Sequence, residues 1–261
     1  MSTYNRYSET DYRKMLQVYE ECGGINETAR ITKFPTTTVH RVIKQYQTVA
    51  RFDDEFEGAS NPDILPMLKS HMREYQLMRF HYAYMLGMYL GDGHISKTKS
   101  HRAHRIMIFL DKKYPRIIER CQQSLETIFP GNSVGIVDKD GCVSVNCYSQ
   151  QLPVIFPQHG EGKKHNREIV LEEWQDKIIN QFPLEFFRGL YHSDGSRSQN
   201  IVKGKNYPRY TFSNNSDDIR KLFTDTAEKL GLSWTTANAR NVAISRREDV
   251  AWLDEHVGEK S

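Results

Sequence analysis

At 261 residues, 38% hydrophobic and 26% charged, the chain has the composition of a folded protein of two or three domains and not of a disordered or fibrous one. The formal charge of +3 and isoelectric point near 8.5 are too mild to argue a nucleic-acid partner, so the placing of basic residues carries that question. Cys22, Cys121, Cys142 and Cys147 form no CxxC pair, zinc spacing or disulfide framework. No signal peptide or membrane-length apolar run is visible, so a cytoplasmic protein is expected.

The amino-terminal 1–50 read as three short helices, DYRKMLQVYEEC, INETARITK and PTTTVHRVIKQYQ. Asn26 suits an N-cap of the second, and Pro35 suits the first turn of the third. A short helix, a tight turn and a helix bearing Thr36, Thr37, Thr38, His40, Arg41 and Lys44 make a helix-turn-helix layout, whose second helix enters the major groove. The segment resembles the helix-turn-helix domains of bacterial regulators and recombinases. From Phe34 to Phe52 it holds no acidic residue, as a phosphate-facing helix requires. An ordinary three-helix bundle gives much the same pattern. Residues 51–66 then turn acidic, with Asp53, Asp54, Glu55, Glu57 and Asp63 and two prolines, and read as a linker.

From about Met67 the text is helical and ends in MLGMYLGDG at Gly93, and a second apolar helix ends in FFRGLYHSDG at Gly195. Aligned, Gly87 falls on Gly189, Tyr89 on Tyr191, Asp92 on Asp194 and Gly93 on Gly195. After the first copy, HISK, HRIMIFL, NSVGIV and CVSVNCYS read as strands around the helix YPRIIERCQQSLETIF. After the second, RSQNIV, RYTFSN, SWTTA and NVAIS do so around DDIRKLFTDTAEKLG, and REDVAWLDEHV reads as a closing helix. The unit is αββαββα used twice, over 67–156 and 183–261, with an inter-repeat loop and helix at 157–182.

Two such motifs about a hundred residues apart resemble the LAGLIDADG homing endonucleases, in the monomeric type with both motifs in one chain. The resemblance covers Tyr82 to the carboxyl end. It implies an α+β fold of tandem units forming a pseudo-twofold saddle over double-stranded DNA, and a monomer. It also implies divalent-metal hydrolysis of phosphodiesters, with Asp92 and Asp194 as metal-binding catalytic acids.

Residue chemistry agrees with that assignment. An aspartate in the last turn of a helix lies at the negative end of the dipole and requires a positive neighbour. Two carboxylates, as hard oxygen donors, suit Mg2+ better than zinc. Gly87 and Gly189 permit close helix packing, while Gly93 and Gly195 are expected to take the positive φ that ends a helix.

Basic residues fall beside the first two strands of each unit: Lys97, Lys99, Arg102 and Arg105, then Arg197, Lys203, Lys205 and Arg209. All are expected to contact DNA. Strand alternation is expected to put Ser144, Asn146 and Tyr148 on a wet face, and likewise Asn241 and Ser245. The loop QHGEGKKHNR, 158–167, reads as a mobile basic segment near phosphate, its His159 and His165 being poorly spaced for a metal. Trp174 reads as a packing residue. The basic residue that the family places near each acid has no evident equivalent, with Arg105, Arg209 and Arg246 as candidates.

Two functions follow from the resemblance. One is a sequence-specific DNA endonuclease, and the other is a non-catalytic DNA-binding transcriptional regulator that retains the fold; either is expected in the cytoplasm, at the nucleoid. The appended helix-turn-helix favours the regulator and the paired acids favour the enzyme. The chain ends carry neither the leading cysteine or serine nor the closing His-Asn of an intein, so a self-contained chain is expected.

Overall fold

The computed structural model describes residues 9–40, 42–43, 65–98, 103–202, 204–258 and 260. The chain divides into two compact units, one ending at Ile64 and the other running from Leu65 to the carboxyl end, 98–102 excepted.

The first unit contains helices α1 (Glu9–Cys22) and α2 (Ile25–Thr32), followed by helical residues 36–40 and 42–43, here α3. Met15, Ala29, Val39, Val42 and Ile43 make its core. The helix α2 begins at Ile25 with Gly24 as N-cap, so Asn26 lies inside the first turn and does not cap it. Instead the Thr28 hydroxyl donates to the Gly24 carbonyl at 2.8 Å. Lys33 closes α2 in the left-handed conformation, φ 60°, and the Pro35 carbonyl accepts from the Thr38 and Val39 amides, starting α3 one residue beyond the proline.

The second unit is α+β, with two four-stranded antiparallel sheets. Its first half runs α4 (Leu65–Asp92), β1 (Gly93–Lys97), β2 (His104–Asp111), α5 (Pro115–Ile128), β3 (Val134–Asp138), β4 (Cys142–Ser149) and the short α6 (Leu152–Ile155). The linking helix is α7 (Glu173–Gln181). The second half runs α8 (Pro183–Asp194), β5 (Gly195–Ser198), β6 (Ile201–Val202), β7 (Lys205–Asn206), β8 (Arg209–Ser213), α9 (Asp217–Lys229), β9 (Thr235–Asn238), β10 (Asn241–Ile244) and α10 (Arg247–His256).

The sheets have strand orders β1-β2-β4-β3 and β5-β8-β10-β9, the same path followed twice. The stretch RSQNIV is not one strand: β5 stops at Ser198, and Ile201–Val202 pairs with Lys205–Asn206 in a separate small hairpin. No helix among the described residues is long and apolar enough to cross a membrane.

Residues 82–90 of α4 are buried all round, because this helix is covered by α8, α5, α7 and the first sheet and cannot be amphipathic there. The inward rows of the sheets, Ile106, Ile108, Val143 and Val145 in one and Tyr210, Phe212, Val242 and Ile244 in the other, join it in one core. Phe212 stacks on Phe223 of α9 at 4.2 Å. Each such side chain contributes roughly 1.5–3 kcal/mol through burial. Trp174 of α7 packs against Tyr82 with ring centroids 5.3 Å apart. Beneath the seam, Glu185 is buried and ion-paired with both Arg120 and Arg188.

Candidate metal centre and nucleic-acid interface

The helices α4 and α8 cross where neither has a side chain. A β-carbon on Gly189 would lie 2.1 Å from the Tyr84 carbonyl oxygen, and one on Gly87 would lie 2.6 Å from the Leu190 nitrogen and the Phe186 oxygen. A third position, Gly91, is equally crowded, at 2.1 Å from the Ser193 hydroxyl and 2.7 Å from the Asp194 carboxylate. Across the seam, Tyr84 Oη lies 3.1 Å from His192 Nδ1. Burial holds that imidazole down to about 3, so it is neutral at pH 7.

Gly93 and Gly195 do not take positive φ. Gly195 is extended, with φ −91°, and Gly93 is absent from the left-handed residues. Their need is for space: a β-carbon would fall 2.5 Å from the Tyr89 Cα and 2.1 Å from the Tyr191 ring. Each motif helix passes straight into its first strand over its own tyrosine.

This crossing brings Asp92 and Asp194 together at the helix ends. Burial, then the Asp194 charge, pushes Asp92 up to about 6. Burial also raises Asp194, opposed by its hydrogen bond from Asn214 Nδ2 at 2.7 Å. Among the described residues nothing donates to the Asp92 carboxylate.

Two lysines complete the cluster. Lys164 donates to the carbonyls of Tyr89, Gly91 at 3.0 Å and Gly93 at 2.8 Å, and its ammonium stands 5.0 Å from the Tyr89 ring centroid. Lys260 donates to the Ser193 carbonyl at 2.8 Å and stands 5.9 Å from the Tyr191 ring centroid. Gly91 aligns with Ser193 and Tyr89 with Tyr191, so the lysines occupy equivalent places in the two halves. Burial lowers both, Lys164 to about 8, while the two carboxylates act in the opposite direction.

The positive neighbour that a C-terminal aspartate requires is therefore present in the chain. One sequence signal could have found it: Gly-Glu followed by lysine occurs at 160–164 and again at 258–260. The 158–167 loop is anchored and does not reach outward at Lys164. Besides that lysine, Gln158 Nε2 donates to the Val170 carbonyl at 2.8 Å, and a 3-10 turn covers Lys164–Asn166.

The donor types fit a hard divalent cation, with two carboxylates and the carbonyls of Gly91 and Ser193 at the converging ends of α4 and α8. Among the described residues no group of three or more His, Cys, Asp or Glu is placed to hold a metal.

The sheet faces away from the helices differ. In the first, register places Arg105, Met107 and Phe109 of β2 with Tyr148 of β4 and Val137 of β3. Ser144 and Asn146 share that parity but are buried, 0% and 3% exposed, because they lie on an inner strand beneath larger neighbours. Ser144 donates to Asn146 at 3.0 Å and Arg105 Nε does so at 3.1 Å. Only Tyr148 of that expected wet row is exposed. In the second sheet the row is mostly hydroxyl and amide, Ser196, Ser198, Thr211, Ser213, Thr235 and Asn241, with Arg209 and Ala243 among them.

Arg105 pairs across Ser96, and Arg209 across the aligned Ser198, so these two arginines are also equivalent. The Arg209 Nε is buried with no hydrogen-bond partner among the described residues. Both stand three residues along the strand from the motif glycines, about 10 Å from the acids. Arg246, the third candidate for a basic residue near an acid, precedes α10 and is ion-paired with Glu248.

Arg197 does not join the outer face. It pairs across Tyr210 on the helix side and makes a bidentate ion pair with Asp254 of α10, at 2.7 and 2.9 Å, because its strand parity points it inward. Lys97 and Lys205 are exposed. In the first unit Thr36, Thr37 and His40 are exposed and Thr38 is half-buried. Arg41, Lys44, Lys99, Arg102, Lys203 and most of the expected linker, up to Ile64, lie outside the described residues.

No family model matches the chain, and no curated protein matches it. Among solved structures it is similar to variants of the homing endonuclease I-DmoI, with 16% identity, TM-score 0.47, 70% of this chain and 97% of that one covered. It is similar to I-DmoI in complex with DNA and calcium, with 18% identity, TM-score 0.47 and coverage of 69% and 90%. It is also similar to the N-terminal LAGLIDADG domain of DUF199/WhiA, with 15% identity, TM-score 0.44 and coverage of 69% and 83%. Identities of this size leave the chemistry of the chain to be argued from its own site.

Proposed function

We propose that this chain is a sequence-specific double-stranded DNA endonuclease of the LAGLIDADG type, whose Asp92 and Asp194 hold divalent cation, Mg2+ in the cell, at the seam of two tandem units. The observation that carries this reading is the convergence of two aligned carboxylates at the ends of two helices joined through Gly87 and Gly189. Each sheet then lies over one half of the target, with Arg105 and Arg209 on phosphates. Exposed outer-row side chains read base edges. A bound divalent ion supplies Lewis-acid stabilisation of charge on the phosphate oxygens. Asp92 and Asp194 orient it, and Lys164 and Lys260 add positive potential where the phosphate arrives.

The amino-terminal 1–50 would act as a helix-turn-helix module, placing Thr36, Thr37, Thr38, His40, Arg41 and Lys44 at a duplex. The linker 51–66 would tether it to a monomeric, pseudo-twofold cleavage unit in the nucleoid.

The test incubates the protein and Mg2+ with DNA from its own genomic neighbourhood, beside an Asp92→Asn, Asp194→Asn variant. Metal-dependent double-strand cleavage lost in the variant is expected. Tight binding at a defined site with no cleavage in any divalent metal would refute the enzyme and leave the second reading, a non-catalytic regulator. The observation favouring that second reading is the lysine pair, which already offsets the acids' charge.

A further inference from the structure

We infer that Lys164 and Lys260 are a built-in cation pair for the acid pair: each ammonium sits on the carbonyl end of one motif helix, and a divalent ion enters only by displacing it. The inference rests on the proposed reading of Asp92 and Asp194 as cation-holding acids.

The argument begins with the duplication. One lysine in a cleft is an accident of sequence, but two that donate to the aligned carbonyls of Gly91 and Ser193, each immediately before its aspartate, are a repeated device. Each also stands over the aligned tyrosine, Tyr89 or Tyr191. Neither comes from the αββαββ core: Lys164 follows the first unit and Lys260 follows the second, so each half folds a returning segment back onto its own helix.

A helix C-terminus carries about half a negative charge, and here each end has a buried carboxylate added. Four sources of negative potential meet in one cleft, and the two ammonium groups are the cations that face them. Arg167 and Lys113 lie close enough to act on Lys164 and Lys260 respectively, with like charge. The carbonyl oxygens of Gly91 and Ser193 that the lysines occupy are also hard neutral donors, each one residue before its aspartate. A divalent ion seeking more than two protein ligands therefore meets an ammonium already in place.

A melting experiment in EDTA on the full chain tests the compensation without metal. Lys164→Met is expected to lower the melting temperature by about 4 °C or more, and by no more than half as much when made in an Asp92→Asn background. The same cycle is run with Lys260→Met and Asp194→Asn, which tests the second half by itself should Lys164→Met not fold. Equal effects of the lysine change with and without its aspartate, in both cycles, would overturn the inference.

Displacement is then read by Mn2+ titration followed by electron paramagnetic resonance. Lys→Met variants are expected to bind Mn2+ roughly tenfold more tightly than the wild type, the factor for removing one like-charge repulsion at a partly buried site. Equal or weaker binding would overturn the displacement. If neither wild type nor variants bind Mn2+ with DNA present while the melting cycles still couple, the metal reading of the seam fails and the resident cation pair stands.

Discussion

Replacing Asp92 by asparagine is expected to stabilise the metal-free protein at neutral pH, and the size of the gain can be worked from the site. Burial first, and then the Asp194 charge, raises the Asp92 carboxyl from 3.8 to about 6, even with Lys164 and Lys260 acting against that rise. Two units at about 1.4 kcal/mol each give roughly 3 kcal/mol. An acid whose pKa is raised by folding holds its proton more tightly in the folded state. The penalty is therefore absent below the unfolded value near 3.8, grows as pH rises, and is complete above about 6. Asp194, also raised, adds to the same slope, while Lys164, held down to about 8, titrates above it.

Melting curves in EDTA between pH 4 and pH 7.5 should therefore show wild-type stability falling across about pH 4–6 relative to the variant. Asp92→Asn should show a shallower fall, from Asp194 alone, and melt roughly 6–12 °C higher at pH 7. Parallel curves, or a variant less stable than the wild type at pH 7, would refute the reading of Asp92 as a strained buried acid.

At the seam, Gly189→Ala places a methyl 2.1 Å from a backbone oxygen. Because backbone cannot rotate away, urea unfolding should show a loss of about 3 kcal/mol or more, and a loss under about 1 kcal/mol would mean that the helices part easily. Glu185→Gln leaves Arg120 and Arg188 without their shared carboxylate, and about 3–5 kcal/mol should be lost in the same assay. Arg105→Ala and Arg209→Ala should each reduce the slope of log binding constant against log salt by about 1 in DNA titrations. Arg197→Ala should leave that slope unchanged and cost about 1 kcal/mol of stability, its pair with Asp254 being partly exposed.

The motif acids and the seam glycines were legible because their chemistry is local to a helix and was written twice. The α+β strand and helix order was legible for the same reason. What sequence misplaced depended on tertiary surroundings. Arg197 counted as a DNA contact by its charge, but strand parity turned it toward α10. Ser144 and Asn146 alternated correctly, yet alternation says which face a residue is on and not whether large neighbours cover it. Gly93 and Gly195 were required for a different reason, since the conflict is with a tyrosine ring one turn back and not with φ. The lysines were the largest omission. Their role comes from a chain return of about seventy residues, which no periodicity within one element encodes.

The two outer rows have diverged into one of Met107, Phe109, Val137 and Tyr148 and one mostly of serines, threonines and asparagine, while the seam has kept glycine facing glycine. Carrying both units on a single polypeptide makes that possible. In a symmetric pair of separate chains every substitution would be installed twice, so neither outer face could drift alone. Here either face can change by itself, while the seam positions, which must still meet each other, are confined to joint revision.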